Sequence, residues 1–276
     1  MVFIDPKETF SKLNAENKPI FAFNVINLET LFAVIKAGEI SKKPVIIQLS
    51  LGGIRYSRIE FLAPMIVSGI KNSPGKFIFH LDHCDDLELF EKYLELGFNS
   101  VMFDGSKFDV AENIEKSLKA KQLAKEKNIF LELEIGQIGG KEIGHQPENQ
   151  QILDLEIIKD FYKKTQPDLL AIAFGTAHGI YKKKANLNWE LIQNFKKAYK
   201  IPLVMHGTSG LSIQEIQKAI SCGINKINIF TDLLVSFSEQ VKLYFQENPN
   251  AFDIRKINEK GIEKMTEKIL SYLKIA

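Results

Sequence analysis

Hydrophobic residues along the chain form short β-rich runs, and longer stretches with helical spacing separate them. Eight such runs occur, at Ile20–Ile26, Pro44–Ser50, Lys76–Asp82, Ser100–Asp104, Ile129–Gly136, Asp168–Gly175, Pro202–Gly207 and Lys226–Thr231. Helical spacing is found in the stretches Glu88–Leu96, Asn113–Glu126, Ile157–Lys164, Leu191–Tyr199 and Ile213–Ile220. The pattern predicts strands that alternate with helices along the whole chain.

The runs are apolar on both faces, which is typical of parallel strands that helices cover. Eight such strands in a chain of 276 residues favour a closed (β/α)8 TIM barrel, forming one domain over residues 1–276. The competing architecture is an open doubly wound sheet, which usually carries a glycine fingerprint after its first strand, where this chain has AFNVINLET. The segment from about Asn258 onward predicts an additional amphipathic helix at the carboxyl end.

The charges of the chain are nearly balanced, with 36 lysines and arginines against 34 aspartates and glutamates. Such a balance gives no reason to expect a nucleic acid or a membrane as a partner. Two cysteines, Cys84 and Cys222, are too few for a disulfide framework and suit a reducing compartment. No segment has the composition of a signal peptide or a membrane-spanning helix, so we expect a cytoplasmic protein.

Polar residues gather at the carboxyl ends of the predicted strands. In a TIM barrel these ends and the loops after them form the active face, so their side chains surround one pocket. The residues at these positions are Asn24, Gln48, Ser50, Asp82, His83, Asp104, Ser106, Glu132, Glu134, His178, His206 and Asn228–Asp232. The set is rich in acids and in metal ligands.

Three histidines of this set, His83, His178 and His206, can present imidazole nitrogens to one zinc ion and leave a coordination position open, as in catalytic zinc sites. Each histidine alone is more often a hydrogen-bonded pocket residue, but the acids on the same rim favour a metal. His80 lies three positions before His83 and should point to the opposite side of the sheet, which predicts a packing or supporting role. We interpret Cys84 as a core or helix-start residue.

Two loops of small residues, HGTSGL after the seventh strand and NIFTDL after the eighth, can direct backbone N–H groups into a concavity. The loops after strands seven and eight form a phosphate site in many TIM barrels. Ser212, just after the first of these loops, is a candidate helix cap. A metal site beside a phosphate site indicates a phosphorylated carbonyl compound or sugar as substrate.

With these features in view, the chain resembles the class II, metal-dependent ketose-bisphosphate aldolases of the fructose-bisphosphate and tagatose-bisphosphate type. The resemblance covers nearly the whole chain and implies a reversible carbon–carbon cleavage without a Schiff-base lysine. The motifs that carry it, in family order, are AFNVINLET, QLSLGG, HLDHCDD, SVMFDGS, LELEIGQIGG, AIAFGTAHGIYK, HGTSGL and KINIFTDL.

The resemblance implies a role for each matching residue. One zinc ion (Zn2+) would be bound by His83, His178 and His206, with Glu134 and Asp104 near the metal or at an alternative metal position. Cobalt, manganese or iron could occupy the same ligands. Asp82 matches the acid/base at the C4 hydroxyl, and Glu142 matches a loop carboxylate that moves the proton at C3. The substrate-binding residues would be Asn24, Ser50, Gly179, Lys182, Gly207, Ser209, Asn228, Thr231, Asp232 and Arg255.

The family also implies a monovalent cation, sodium or potassium, bound by backbone oxygens near the phosphate, and a homodimer or homotetramer in which Arg255 could reach a neighbouring subunit. The chain departs from the family pattern at Ile143, where an aspartate is common, and at Thr208, where glycine or alanine is common. Its carboxyl-terminal tail, SYLKIA, is also atypical. These departures lead us to expect a change in specificity rather than a loss of activity.

Several functions stay open. Fructose 1,6-bisphosphate, cleaved to dihydroxyacetone phosphate and glyceraldehyde 3-phosphate, is the leading substrate, and tagatose 1,6-bisphosphate or a deoxy-keto-gluconate phosphate is the alternative. A metal-dependent hydrolase on the same barrel would typically carry an H-x-H pair on its first strand, which AFNVIN does not offer. A barrel without catalysis is disfavoured because the metal ligands and Asp82 are present.

Overall fold

Eight parallel strands close into a barrel in the computed structural model, which describes residues 3–140, 151–181 and 185–276. The barrel strands, in their order around the barrel, are β1 (Ile20–Asn24), β2 (Pro44–Ser50), β3 (Lys76–Cys84), β4 (Ser100–Phe103), β5 (Phe130–Ile135), β7 (Leu169–Ile172), β9 (Leu203–Met205) and β10 (Ile224–Ile229). Two short strands above the barrel, β6 (Gly139–Gly140) and β8 (Ala177–His178), pair with each other in parallel. The closed barrel confirms the predicted fold and rules out the open doubly wound sheet.

Helices connect the strands on the outside of the barrel. They are α1 (Pro6–Ala15), α2 (Leu28–Ser41), α3 (Leu51–Ser57), α4 (Ile59–Lys71), α5 (Leu87–Tyr93), α6 (Val110–Glu126), α7 (Leu155–Thr165), α8 (Trp189–Ala198), α9 (Ile213–Ser221), α10 (Thr231–Glu247) and α11 (Ile254–Leu273). Ser212 caps α9 in a capping box with Glu215, as the sequence suggested. Among the described residues, the structure contains no helix that is both long and apolar enough to span a bilayer.

The carboxyl-terminal helix begins four positions earlier than expected. Its first residue is Ile254 rather than Asn258, because the Asp253 carboxylate accepts the backbone N–H of Arg255 and caps the helix there. This helix, α11, packs on α10 and α2, and its buried residues include Ile257, Met265 and Ile269. It therefore extends the helical layer that covers β1 and β2.

The barrel interior is apolar at its amino-terminal end and polar above it. Ile20, Ala22, Ile46 and Ile78 form the floor together with residues of β7 and β9, and Phe10 of α1 packs against them from below. The next inward residues along the strands are polar, for example Asn24 on β1 and His80 on β3. Helix α1 thus closes one end of the barrel, and the buried polar groups lie toward the other end, where the strands finish.

Candidate active site

The end of β3 carries a local irregularity that turns His83 into the barrel. His83 has a φ of 49°, in the left-handed region, and the register between β3 and β4 shifts between Leu81 and Cys84. Regular alternation is lost there, so His80 and His83 both face the interior. The prediction that the two histidines lie on opposite sides of the sheet is therefore wrong, because it assumed an unbroken strand.

Three buried histidines converge at the carboxyl ends of the strands. His83 follows Asp82 on β3, His178 lies on β8, and His206 follows β9. One ligand nitrogen from each lies within 4.8 Å of the others. The ring centroid of His83 is 5.0 Å from that of His178 and 4.4 Å from that of His206. The structure thus brings together the three histidines that the sequence indicated as metal ligands.

Two carboxylates adjoin this cluster on the side of β4 and β5. The Nδ1 atom of His83 is 2.8 Å from Asp104 Oδ2 and 3.9 Å from Glu134 Oε2. Burial raises the pKa of Glu134 well above its usual range, and the nearby Asp104 raises it further. Burial lowers the pKa of His83, but Asp82 and Asp104 outweigh it and hold that pKa well above the ordinary value. The carboxylates around His83 therefore favour a positive charge at the position of its ring.

The Asp82 carboxylate is buried and held by three side-chain amides. Asn24 Nδ2 and Gln48 Nε2 donate to Oδ2 at 3.0 and 3.3 Å, and Asn228 Nδ2 donates to Oδ1 at 3.2 Å. Burial raises the pKa of Asp82, but the positive charge of nearby groups, first His83, outweighs burial and lowers it overall. An ionised carboxylate with fixed orientation is suited to accept a proton from a substrate hydroxyl.

A second buried network lies beneath the histidines. His206 Nε2 is 2.8 Å from Glu132 Oε1, and the Lys226 ammonium donates to Glu132 Oε2 at 2.7 Å. Lys226 Nζ is also 3.2 Å from His80 Nε2, and His80 Nδ1 is 2.8 Å from Ser100 Oγ. Sequence reasoning missed Lys226, although a lysine inside an apolar strand two positions before Asn228 is a signal of an inward polar layer.

The loops after β9 and β10 form the other wall of the pocket. Gly207 has a φ of +63°, and a Cβ added there would lie 2.6 Å from the backbone of Ala177, so only glycine allows the two backbone segments to lie this close together. Ser209 Oγ is 3.4 Å from the backbone nitrogens of Phe230 and Asp232, next to the start of α10. The pocket between these loops and the histidines is lined by Asn24, Asp82, His178, Gly179, His206, Gly207, Thr208, Ser209, Asn228, Phe230 and Thr231.

A tyrosine that sequence reasoning missed joins the loop of His178 to the loop of Gly207. The hydroxyl of Tyr181 accepts the backbone N–H of Ala177 at 2.7 Å and donates to the carbonyl oxygen of Gly207 at 2.7 Å. Burial raises the pKa of Tyr181 to about 12, so the hydroxyl keeps its proton at neutral pH. The two loops are therefore tied at fixed distance beside the pocket.

Three of the expected substrate-binding residues lie outside the lining of this pocket. Ser50 caps α3, with its hydroxyl 3.4 Å from Gly53 N, and pairs in register with Asp82. The Asp232 carboxylate contacts the hydroxyl of Tyr272 on α11. Arg255 is exposed and pairs with Asp253, Nη2 to Oδ2 at 2.9 Å.

Some residues with predicted roles lie outside the described ranges, whereas Cys84 lies within them. Glu142, Ile143 and Lys182 lie outside the described residues. Cys84 is buried where β3 leads into α5, in agreement with its interpretation as a core or helix-start residue.

The donor set fits a divalent cation. Three buried imidazoles, with carboxylates of Asp104 and Glu134 beside them, are the nitrogen and oxygen ligands that zinc and its neighbours in the first transition row prefer. The same structure offers a second set, His83, Asp104 and Glu134, whose ligand atoms also lie within 4.8 Å of one another. Both sets share His83.

The chain is similar to known proteins along nearly its whole length. A curated relative, the sulfofructosephosphate aldolase of Alkalicoccus urumqiensis, is 36% identical over 277 residues, which cover 100% of this chain and 96% of that protein. The crystal structure of the YdjI aldolase from Escherichia coli K12 matches with a TM-score of 0.85 and 30% identity, covering 99% of this chain and 96% of that one.

A further solved structure, the fructose-bisphosphate aldolase (Fba) of Campylobacter jejuni, shares the fold with a TM-score of 0.80 and 24% identity, over 97% of this chain and 92% of that one. The family model for fructose-bisphosphate aldolase class-II matches residues 4–276. The chain therefore belongs to the class II fructose-bisphosphate aldolase family and is a lyase of the aldolase type.

Proposed function

We propose that the protein reversibly cleaves a ketose 1,6-bisphosphate to dihydroxyacetone phosphate and glyceraldehyde 3-phosphate, with fructose 1,6-bisphosphate as the leading substrate. The observation that carries the proposal is the position of the Asp82 carboxylate. Three amides hold it beside the histidine cluster and in the same pocket as the glycine and serine loops. A proton acceptor, a metal centre and a phosphate site are the three parts that this aldol cleavage requires.

The residues of the pocket suggest the following division of labour. Gly207, Ser209 and the first turn of α10 hold the phosphate, because backbone N–H groups at a helix start favour an anion. Asp82 removes the proton of the C4 hydroxyl in cleavage and returns it in condensation, while Asn24 and Asn228 keep the carboxylate oriented. When bound, the metal supplies Lewis-acid stabilisation of negative charge on the substrate.

The metal in this proposal is one zinc ion, held by His83, His178 and His206, with Asp104 and Glu134 close by. A sodium or potassium ion near the phosphate and the roles of Glu142, Lys182 and Arg255 remain proposals that the family resemblance supports. A cytoplasmic homodimer or homotetramer, without nucleic acid or membrane partners, likewise remains a prediction from the sequence.

A second candidate substrate is a sulfonated fructose phosphate. The curated relative with 36% identity over the full chain is named for sulfofructose phosphate, whereas the family as a whole is named for fructose bisphosphate. The two substrates differ at the end remote from the shared phosphate, where a singly charged sulfonate would replace a phosphate. The cleavage chemistry at Asp82 is the same for both, so only the distal contacts decide between them.

The test is a metal analysis followed by a substrate panel. Purified protein should contain about one zinc ion per chain, and cleavage of fructose 1,6-bisphosphate, tagatose 1,6-bisphosphate, a deoxy-keto-gluconate phosphate and sulfofructose phosphate is then assayed with and without a chelator. We expect aldehyde release that the chelator abolishes and added zinc restores. His178→Ala should lose metal and activity together. Full activity in metal-free protein, or hydrolysis without carbon–carbon cleavage, would contradict the proposal.

A further inference from the structure

The interior of the barrel contains a charged pair that the proposed chemistry does not use. Glu132 on β5 and Lys226 on β10 are both fully buried, and Lys226 Nζ lies 2.7 Å from Glu132 Oε2. Neither residue lines the pocket between the histidines and the phosphate loops. A buried pair of this kind costs desolvation energy, and apolar side chains of similar volume often replace it without loss of stability. The presence of this buried pair is therefore not explained by a contribution to folding stability.

The hydrogen bonds around His206 define which ring nitrogen carries the proton. A carboxylate can only accept, so the 2.8 Å contact with Glu132 Oε1 places the hydrogen on Nε2. An amide nitrogen can only donate, so the 3.0 Å contact from Asn228 Nδ2 requires a bare lone pair on Nδ1. The orientation of that amide is fixed independently, because the same nitrogen also donates to Asp82 Oδ1. Two separate contacts thus select the same tautomer.

The Lys226 ammonium lies where it can keep the Glu132 carboxylate in this orientation. It binds Oε2, which leaves Oε1 directed at His206, and its second contact is His80 Nε2 at 3.2 Å. An ammonium can only donate, so His80 accepts at Nε2 and its Nδ1–H donates to Ser100 Oγ at 2.8 Å. Each contact in this network pairs a donor with an acceptor, and the network ends at the imidazole of His206, a candidate metal ligand.

We propose that Glu132 and Lys226 are positioning residues for the metal centre: they hold His206 as the Nε2–H tautomer, so that Nδ1 is the nitrogen available to a cation. Metal-binding histidines commonly donate their other ring N–H to a carboxylate, which fixes the ring and increases its basicity. The inference rests on the proposed metal centre. It assigns a role to a lysine that is fully buried and does not line the pocket.

Metal affinity tests the proposal with Glu132→Gln and Lys226→Met. Both variants should bind zinc about 10–100-fold more weakly than the wild type in competition with a chromogenic chelator. Lys196→Met is the matched control, because Lys196 is a partly buried lysine at the opposite end of the barrel that donates to Asn14, Ile201 and Asn225. Circular dichroism at the same temperature shows that each variant is folded. Zinc affinity within twofold of wild type in folded Glu132→Gln and Lys226→Met would overturn the proposal.

Tautomer analysis by NMR needs no change in this network and covers the case that the variants fail to fold. Wild-type protein labelled with 15N-histidine should show His206 with a protonated Nε2 and an unprotonated Nδ1, both before and after zinc is added. His206→Gln identifies the signals by their loss. A proton on Nδ1 of His206 would overturn the inference even if the protein binds zinc. A wild-type protein that binds no metal but has the Nε2–H tautomer would instead refute the proposed function.

Discussion

Removing the Lys226 ammonium should expose how much the barrel depends on its buried pair. Lys226→Met keeps the length of the side chain and its apolar stem but leaves the Glu132 carboxylate in the interior without its cation. At the observed separation of 2.7 Å, the attraction between the two charges is about 6 kcal/mol with an effective dielectric constant of ~20. The desolvation of both groups offsets most of this attraction, so the intact pair contributes little net stability.

The single variant loses the attraction and retains the desolvation of Glu132. We therefore expect the free energy of unfolding to fall by about 3–5 kcal/mol, a large part of the 5–15 kcal/mol that is typical of a folded domain. For a chain of 276 residues, with an unfolding entropy of about 0.58 kcal/mol/K, this corresponds to a Tm lower by about 5–9 °C.

The assay is urea and thermal unfolding followed by circular dichroism, with the double variant Lys226→Met/Glu132→Gln measured beside the single one. The double variant should regain at least half of the lost stability, because no unbalanced charge remains in the barrel. Lys196→Met, which removes a lysine that is only partly buried and has no carboxylate partner among its hydrogen bonds, should lose less, about 1–2 kcal/mol. A loss below about 1 kcal/mol in Lys226→Met, or a double variant no more stable than the single one, would refute the reasoning.

Three further changes probe the pocket and its support. Asp82→Asn should keep the metal content and lose about 10²–10⁴-fold in kcat, and a rate near that of wild type would exclude Asp82 as the acid/base. Tyr181→Phe leaves the Ala177 N–H and the Gly207 carbonyl without their bridge, so thermal melts should show a loss of about 1–3 kcal/mol. Burial and the nearby Lys226 hold the pKa of His80 well below 6.5. As the pH falls below 6.5, the unfolded chain therefore binds a proton at this histidine that the folded chain does not bind, and the free energy of unfolding decreases. In urea titrations between pH 6.5 and 5, the free energy of unfolding of His80→Gln should fall less steeply with decreasing pH than that of the wild type, by up to about 1.4 kcal/mol per pH unit. Equal slopes in the two proteins would contradict the assignment.

The sequence was informative about the barrel because parallel strands covered by helices are apolar on both faces and end in polar residues. That rule located the eight barrel strands and also placed His178 and His206 at the rim. Helix α1 was not anticipated, because it closes the floor through a single large contact, Phe10, rather than through a long apolar stripe. The early start of α11 depends on one capping carboxylate, Asp253, which hydrophobic spacing does not register.

The parts of the site that escaped prediction depend on contacts between distant segments. The interior position of His80 follows from the register shift beyond Leu81, which period-two reasoning cannot include. Lys226 contacts Glu132 across 94 positions of the chain, and Tyr181 contacts Gly207 across 26 positions that include α8 and β9, so neither contact has a local pattern. Residue type and strand position indicated the ligands, whereas the groups that hold those ligands became visible only in three dimensions.

At His83, the residue type that backbone energy favours differs from the residue type that metal binding requires. A non-glycine residue in the left-handed backbone conformation of His83 costs on the order of 1–3 kcal/mol, and backbone energy alone favours glycine or asparagine there. Only the imidazole, however, completes the cluster with His178 and His206. A laboratory selection for heat resistance alone would thus favour replacement of His83. Engineered thermostable variants of this barrel should therefore be screened for metal content as well as for melting temperature.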